Sequence, residues 1–154
     1  MHYTIKNMAL LENKKVHLRF AVLETFQAGM ELSGGEAKAL RSKHGSLDGS
    51  RVVVRNGEAY LVGATIPPYQ VANTDVAYDP ERTRRLLLNK KELHEIAEAE
   101  DRKGLTVVPI EVYNAGRYIK IRIAIVRGKG KADKREDLKK KDDEREIARV
   151  MKQR

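Results

Sequence analysis

The sequence predicts a mainly β domain with short helices, followed by a basic C-terminal tail. Three observations carry this: a period-two alternation from Val16 to Val22, two strand–turn–strand patterns around Asn56-Gly57 and Asn114-Ala115-Gly116, and an abrupt loss of apolar residues beyond Val126.

Residues 1–12 are expected to form a loosely ordered leader. In the alternating stretch, Val16, Leu18, Phe20 and Val22 share one face while His17 and Arg19 take the other, the pattern of a half-buried strand. The chain should continue as a bent strand from Glu24 to Leu32, with a bulge or turn at Ala28-Gly29. Ser33 then caps a short helix reaching Arg41, and Glu36 at the third helical position completes a capping box. Arg51–Arg55 and Glu58–Gly63 form a hairpin, because Asn-Gly favours the type I′ turn. Pro67-Pro68 marks residues 64–78 as loop. Asp79-Pro80 is a helix start that carries Arg82, Arg84 and Arg85 ahead of Leu86-Leu87-Leu88. Asn89 caps a second helix, Lys90 to Lys103, which Gly104 stops.

Leu105–Tyr113 and Arg117–Val126 make the second hairpin. Its return strand buries Ile119, Ile121, Ile123 and Ile125 and turns Lys120 and Arg122 the other way. Five or so strands with short helices between them suggest a small closed β-barrel over residues 13–126, of the oligonucleotide-binding (OB) type. Hairpin connections disfavour a doubly wound α/β fold.

Residues 127–154 hold 12 basic and 7 acidic side chains. Leu138 and Ile147 fall on opposite faces of an ideal helix, and only Ile147, Val150 and Met151 share one. Pairs such as Glu136–Lys140 add a few tenths of a kcal/mol each, roughly, too little to order an unsupported segment. This tail is expected to be disordered when free and helical on a charged surface.

A chain of 154 residues with 31 Lys and Arg, 22 Asp and Glu and a net charge of +9 fits one basic domain with a polyanionic partner. Without cysteine, disulfides and thiolate metal sites are excluded. No apolar run approaches the roughly 20 residues of a membrane span, and the N-terminus lacks signal-peptide character. A soluble cytoplasmic protein is expected. His2, His17, His44 and His94 follow no metal-ligand spacing, so no metal or cofactor is expected. Glu24 and Glu36 have nothing that marks a catalytic pair. Ser33-Gly34-Gly35 is explained by a helix cap, and Arg127-Gly128-Lys129-Gly130-Lys131 lacks the Gly-Lys-Ser/Thr of a P-loop. The reading is of a protein that is not an enzyme.

Three basic clusters lie on separate elements: Asn13-Lys14-Lys15, Arg82-Thr83-Arg84-Arg85 and Lys120/Arg122. Each taken alone is equally well a solvated surface; gathered on one face they form an RNA-binding stripe. Six Tyr and two Phe are too few for extensive base stacking, which favours recognition of a folded RNA by shape and backbone.

Several segments in order resemble the SsrA-binding protein family. They are Asn13-Lys14-Lys15, Glu24-Thr25-Phe26-Gln27-Ala28-Gly29, Gly34 through Arg41, Asp79 through Leu88, Gly104 through Pro109, Asp133 through Asp137, and Arg149-Val150-Met151-Lys152. The resemblance runs over residues 12–152. It implies an RNA-binding adaptor that carries transfer-messenger RNA, through its tRNA-like domain, to stalled ribosomes for trans-translation. It further implies a monomer, with elongation factor Tu on the same complex and no membrane partner.

By position, the resemblance places Asn13, Leu87 and Lys120 on the RNA surface. Gln27 is a weaker contact, where the family usually has glutamate. It also implies a tail that reads the empty mRNA channel and the rRNA of the decoding centre through Lys129, Lys131, Asp133, Lys134, Arg135, Lys139, Lys140, Arg149, Met151 and Lys152. The chain departs from the family pattern at Gly35, Tyr78, Gly130 and Ala132 as well. A structural ribosomal protein permanently assembled on rRNA is the alternative.

Overall fold

The computed structural model describes residues 8–70, 72 and 75–128. Among them are seven strands and three short helices: β1 (Ala9–Glu12), α1 (Val16–Arg19), β2 (Phe20–Met30), α2 (Gly34–Arg41), β3 (Arg51–Arg55), β4 (Glu58–Val62), β5 (Arg84–Leu87), α3 (Lys90–Asp101), β6 (Leu105–Ala115) and β7 (Tyr118–Gly128). The fold is mainly β, as the alternating patterns require.

Local chemistry sets most boundaries. Asn56 and Gly57 both take positive φ, 54° and 75°, and close the β3–β4 hairpin. Ser33 and Asn89 each form a complete capping box, with Glu36 and Glu92 answering from the third helical position. The second hairpin turns one residue later than the sequence suggests. Ala115 pairs with Tyr118, so the turn is Gly116-Arg117, with Gly116 at φ 64°.

The strands form one antiparallel sheet in the order β1-β6-β7-β2-β5-β4-β3. Its inner face holds Phe26, Ala28, Leu86, Ile119, Ile121, Ile123 and Ile125, covered by Leu40 of α2 and Ile96 of α3. Each buried Leu, Ile or Phe side chain among them stabilises the fold by about 1.5–3 kcal/mol when removed from water.

The closed barrel is corrected to an open, curled sheet. Its last strand, β3, comes against β6 but is not hydrogen-bonded to it as a strand partner. Instead the β3 edge is met by α3: the Val54 N–H donates to Glu100 Oε2 at 3.0 Å, and Arg55 Nη1 donates to Glu100 Oε1 at 2.7 Å. A helix carboxylate stands where barrel closure would need a strand carbonyl.

Further expectations change. Ala9–Glu12, placed in the loose leader, form β1 and pair with β6. Val16–Arg19 are a helical turn instead of the start of a strand, with the Arg19 N–H bonded to the Lys15 carbonyl at 3.0 Å. Val16 alone is buried there, while Leu18 stays 39 % exposed, so the alternation is not used. The bulge in β2 falls between Val22 and Glu24, not at Ala28-Gly29. The predicted Asp79-Pro80 helix is a single turn: the Glu81 N–H bonds Asp79 Oδ1 at 2.9 Å and the Arg82 N–H bonds the Asp79 carbonyl at 3.1 Å. Arg84–Leu87 then form a strand, because Arg84 and Leu86 are buried and Arg85 and Leu87 exposed, a period of two. Strand β7 extends to Gly128, two residues into the predicted tail.

Candidate nucleic-acid interface

The outer face of the sheet is apolar at one end and polar at the other. At the apolar end, Val16 of α1 packs with Val108, Ala124 and Val126, bordered by Phe20 and Val22. Further along the same strands, register brings the candidate residues together. Gln27 lies opposite Arg122, and Gly29 lies between Lys120 on β7 and Leu87 on β5. On the other side of β7, Lys120 faces Tyr113 and Arg122 faces Glu111. Residues directly opposed in a sheet share a face. One row therefore reads Tyr113, Lys120, Gly29, Leu87, and the adjacent one Glu111, Arg122, Gln27.

Within this face the side chains differ in availability. Leu87 is 48 % exposed and lies across Gly29, where an added Cβ would meet Leu87 Cβ at 3.3 Å. The missing side chain of Gly29 lets an apolar group lie flat beside Lys120. Arg122 is held by Glu111, Nη1 to Oε1 at 2.5 Å, and sits over the Tyr113 ring at 5.4 Å. Burial pushes the Tyr113 phenol up from its ordinary range. Lys120 makes no ion pair among the described residues.

Asn13 anchors the neighbouring edge. Its Nδ2 donates to the Pro109 carbonyl at 3.0 Å and its backbone N–H to the Ile110 carbonyl at 2.8 Å. The side-chain carbonyl remains as an acceptor. Lys14 and Lys15, in the turn before α1, are exposed.

The arginine cluster on β5 goes elsewhere, and Arg84 is a correction. It is fully buried, and its guanidinium is fully engaged. Nε donates to Glu36 Oε2 at 2.7 Å; Nη1 to the Ala64 and Arg82 carbonyls at 3.1 and 3.0 Å; Nη2 to the Tyr78 hydroxyl at 3.2 Å and the Pro80 carbonyl at 2.9 Å. Five N–H donors meet five acceptors, so none is left for RNA. Arg82 is committed to the same carboxylate, with Nε to Glu36 Oε2 at 2.9 Å and Nη2 to Oε1. Arg85 is exposed but paired with Glu58, Nε to Oε2 at 2.8 Å.

Glu36 is the centre of this network. Burial alone would raise its pKa, but hydrogen bonds from Arg82, the Ser33 N–H and Arg84 outweigh it and hold the carboxyl at about 2. Burial also raises the Tyr78 phenol, whose hydroxyl donates to the Ile66 carbonyl at 2.7 Å. This cluster ties the long loop to α2 and β5; it is architecture.

Sequence reasoning missed Glu111, Tyr113 and Gly29. A strand pattern flags which side chains point outward, but not which strand lies beside them. The tail candidates Lys129, Lys131, Asp133, Lys134, Arg135, Lys139, Lys140, Arg149, Met151 and Lys152 lie outside the described residues. Among the described residues, no group of His, Asp or Glu gathers to hold a metal ion, and no helix is long and apolar enough to cross a membrane.

Comparison with known proteins then decides the family. The model of the SmpB protein family matches residues 10–153. The chain belongs to the SmpB family. Relatives named SsrA-binding protein include that of Microcystis aeruginosa (strain NIES-843 / IAM M-2473), 43 % identical over 143 residues, covering 93 % of each chain. That of Thermosipho africanus (strain TCF52B) is 43 % identical over 141 residues, 91 % of this chain and 94 % of the relative. A chain of a solved structure described as "tmRNA-SmpB: a journey to the center of the bacterial ribosome" superposes with a TM-score of 0.67 at 34 % identity, covering 86 % of this chain and 94 % of that one. The SmpB match takes in every residue of the sheet's strands after Ala9 and continues through residue 153, past the last described strand.

Proposed function

We propose that this SmpB-family chain is an RNA-binding adaptor that binds the tRNA-like domain of transfer-messenger RNA and delivers it to stalled ribosomes. The observation that carries the reading is the family match through residues 10–153, with relatives named for binding SsrA RNA. The outer face of β7, β2 and β5 supplies a surface for it. Lys120 pairs with phosphate, Leu87 packs on a sugar or base, and Gln27 and Asn13 offer polar contacts to base or sugar edges. Lys14, Lys15, Arg85 and Arg122 add positive potential around them.

In the finer reading the adaptor is monomeric, cytoplasmic and without catalytic activity, and elongation factor Tu acts on the same complex. The tail, from Lys129 through Lys152, engages the rRNA of the decoding centre and the vacant mRNA channel, which a bound messenger would block. Deleting residues 131–154 then leaves affinity for the RNA nearly intact and abolishes tagging on stalled ribosomes. Loss of RNA affinity in that deletion contradicts this division of labour.

The direct test is a binding titration of the purified protein with the tRNA-like fragment of transfer-messenger RNA and with an unrelated hairpin of equal length. Strong preference for the fragment is expected; equal affinity for both refutes the reading. Sedimentation of ribosomes after a high-salt wash separates an adaptor, which is released, from a permanent ribosomal component, which is not.

A further inference from the structure

Where the curled sheet fails to close, the seam between β3 and β6 is filled at one end and open at the other. Glu100 meets the β3 edge at Val54. Toward the start of β3 the seam opens into a groove of about 200 Å³, walled by Lys15 and Arg19 of the α1 turn and by Arg51, with Val16 and Val108 beneath. Among the described residues, no acidic one lines it. Two further grooves differ: one includes Glu24, Glu95 and Glu98, the other Glu12 and Asp48. Among the described residues, Lys15, Arg19 and Arg51 form no ion pair, whereas Arg55, Arg82, Arg84, Arg85 and Arg122 all do.

Three like charges around one concavity repel each other unless an anion sits among them, and low-dielectric walls focus their field into it. The floor gives the groove a fixed shape, because Val16 and Val108 are 1 % and 5 % exposed. Ser50, which also lines it, is 4 % exposed and tied by its hydroxyl to the Leu47 carbonyl at 2.6 Å. The walls are therefore held in place while the three cationic ends remain in solvent.

We propose that this groove is a phosphate-binding subsite for the backbone of the folded RNA, with Arg19 and Arg51 bridging phosphodiester oxygens and Lys15 beside them. Asn13 also lines the groove, so the subsite adjoins the edge of the outer face and lengthens the RNA footprint beyond Lys120. The inference rests on the RNA-binding reading above and extends it to two arginines outside the Asn13-Lys14-Lys15, β5 and β7 clusters.

The test measures affinity for the tRNA-like fragment against salt concentration for the full chain, for Lys120→Ala, for Arg19→Gln/Arg51→Gln and for Arg19→Lys/Arg51→Lys. The double glutamine variant should lose about two units of salt slope and roughly tenfold or more in affinity at about 0.1 M salt. The lysine pair, which keeps the charge, should restore the slope, a recovery that a purely structural role does not give. A glutamine variant with unchanged slope overturns the subsite, and if Lys120→Ala still lowers the slope the general RNA reading stands. If the unaltered chain shows no preference for the fragment, that broader reading fails first. A parallel NMR titration with inorganic phosphate separates the remaining source: shifts at Arg19 and Arg51 with no slope change for RNA mean an adventitious ion only, and overturn the proposal.

Discussion

The chain uses arginine in two ways, and comparing the regions shows what sequence cannot rank. Around Glu36, Arg84 is fully buried with every donor engaged, and Arg82 shares its carboxylate. On the outer face, Arg122 is half-exposed and held by one carboxylate, and Lys120 beside it makes no ion pair among the described residues. As text, Arg82-Thr83-Arg84-Arg85 is the denser cluster and the better RNA candidate; folded, all three of its arginines are paired with carboxylates. Charge density along the chain does not measure charge available to a ligand. What separates the two regions is whether the fold has already supplied an acceptor.

The sharpest way to break this contrast is at its buried end. Arg84→Ala leaves Glu36 charged, buried and short of a partner, and removes the ties to the Ala64 and Pro80 carbonyls. A loss of about 3–5 kcal/mol is expected in denaturant unfolding. A variant that keeps its stability and loses only RNA affinity would make Arg84 a contact residue and reverse the comparison.

Acid should act on the same region. The Glu36 carboxyl is held at about 2, below its ordinary 4.5, so the folded state binds this proton less readily than the unfolded chain. The resulting stabilisation is complete above pH 4.5 and fades as pH falls toward 2. Thermal melts across that window should show a steep decline worth a few kcal/mol, and Glu36→Gln, already destabilised at neutral pH, should flatten it. An equally steep decline in the variant would assign the acid sensitivity elsewhere.

The exposed end has smaller effects, of another kind. Lys120→Ala should leave the melting temperature within experimental scatter, weaken RNA binding and reduce its salt slope by about one unit. An unchanged slope would mean that Lys120 is only solvated.

Sequence carried the parts of this fold that depend on local chemistry. The Ser33–Glu36 capping box, the Asn89 cap, the Asn56-Gly57 turn and the isoleucine face of β7 follow from local pattern alone. It misjudged the parts that depend on what lies alongside. Arg84–Leu87 reads as helix after Asp79-Pro80 because a buried arginine looks like a surface residue until its five acceptors are seen. They come from Glu36, Ala64, Tyr78, Pro80 and Arg82, and the first two lie 48 and 20 residues away in sequence. Val16–Arg19 has the alternation of a strand, yet only Val16 finds an apolar partner. Barrel closure fails for the same reason, since the acceptor at the β3 edge is Glu100 of α3. Lys120 and Leu87 were placed by resemblance and alternation; their shared row across Gly29 needed the register.

The smallest predicted effect separates pairing from position. Arg122 lies next to Lys120 on the same face, and what distinguishes it is Glu111. Glu111→Gln keeps the side chain's shape and hydrogen-bonding reach while removing the charge that neutralises Arg122. Because the pair is partly exposed, stability should change by less than about 1 kcal/mol. If availability and not location governs the RNA contact, this variant should bind the tRNA-like fragment a few-fold more tightly at low salt, with a steeper salt dependence, and the gain should vanish when Arg122→Gln is added. Weaker binding in Glu111→Gln would show instead that Glu111 orients Arg122 for its contact. The ion pair would then belong to the interface, and the line between the two regions would have to be drawn by burial alone.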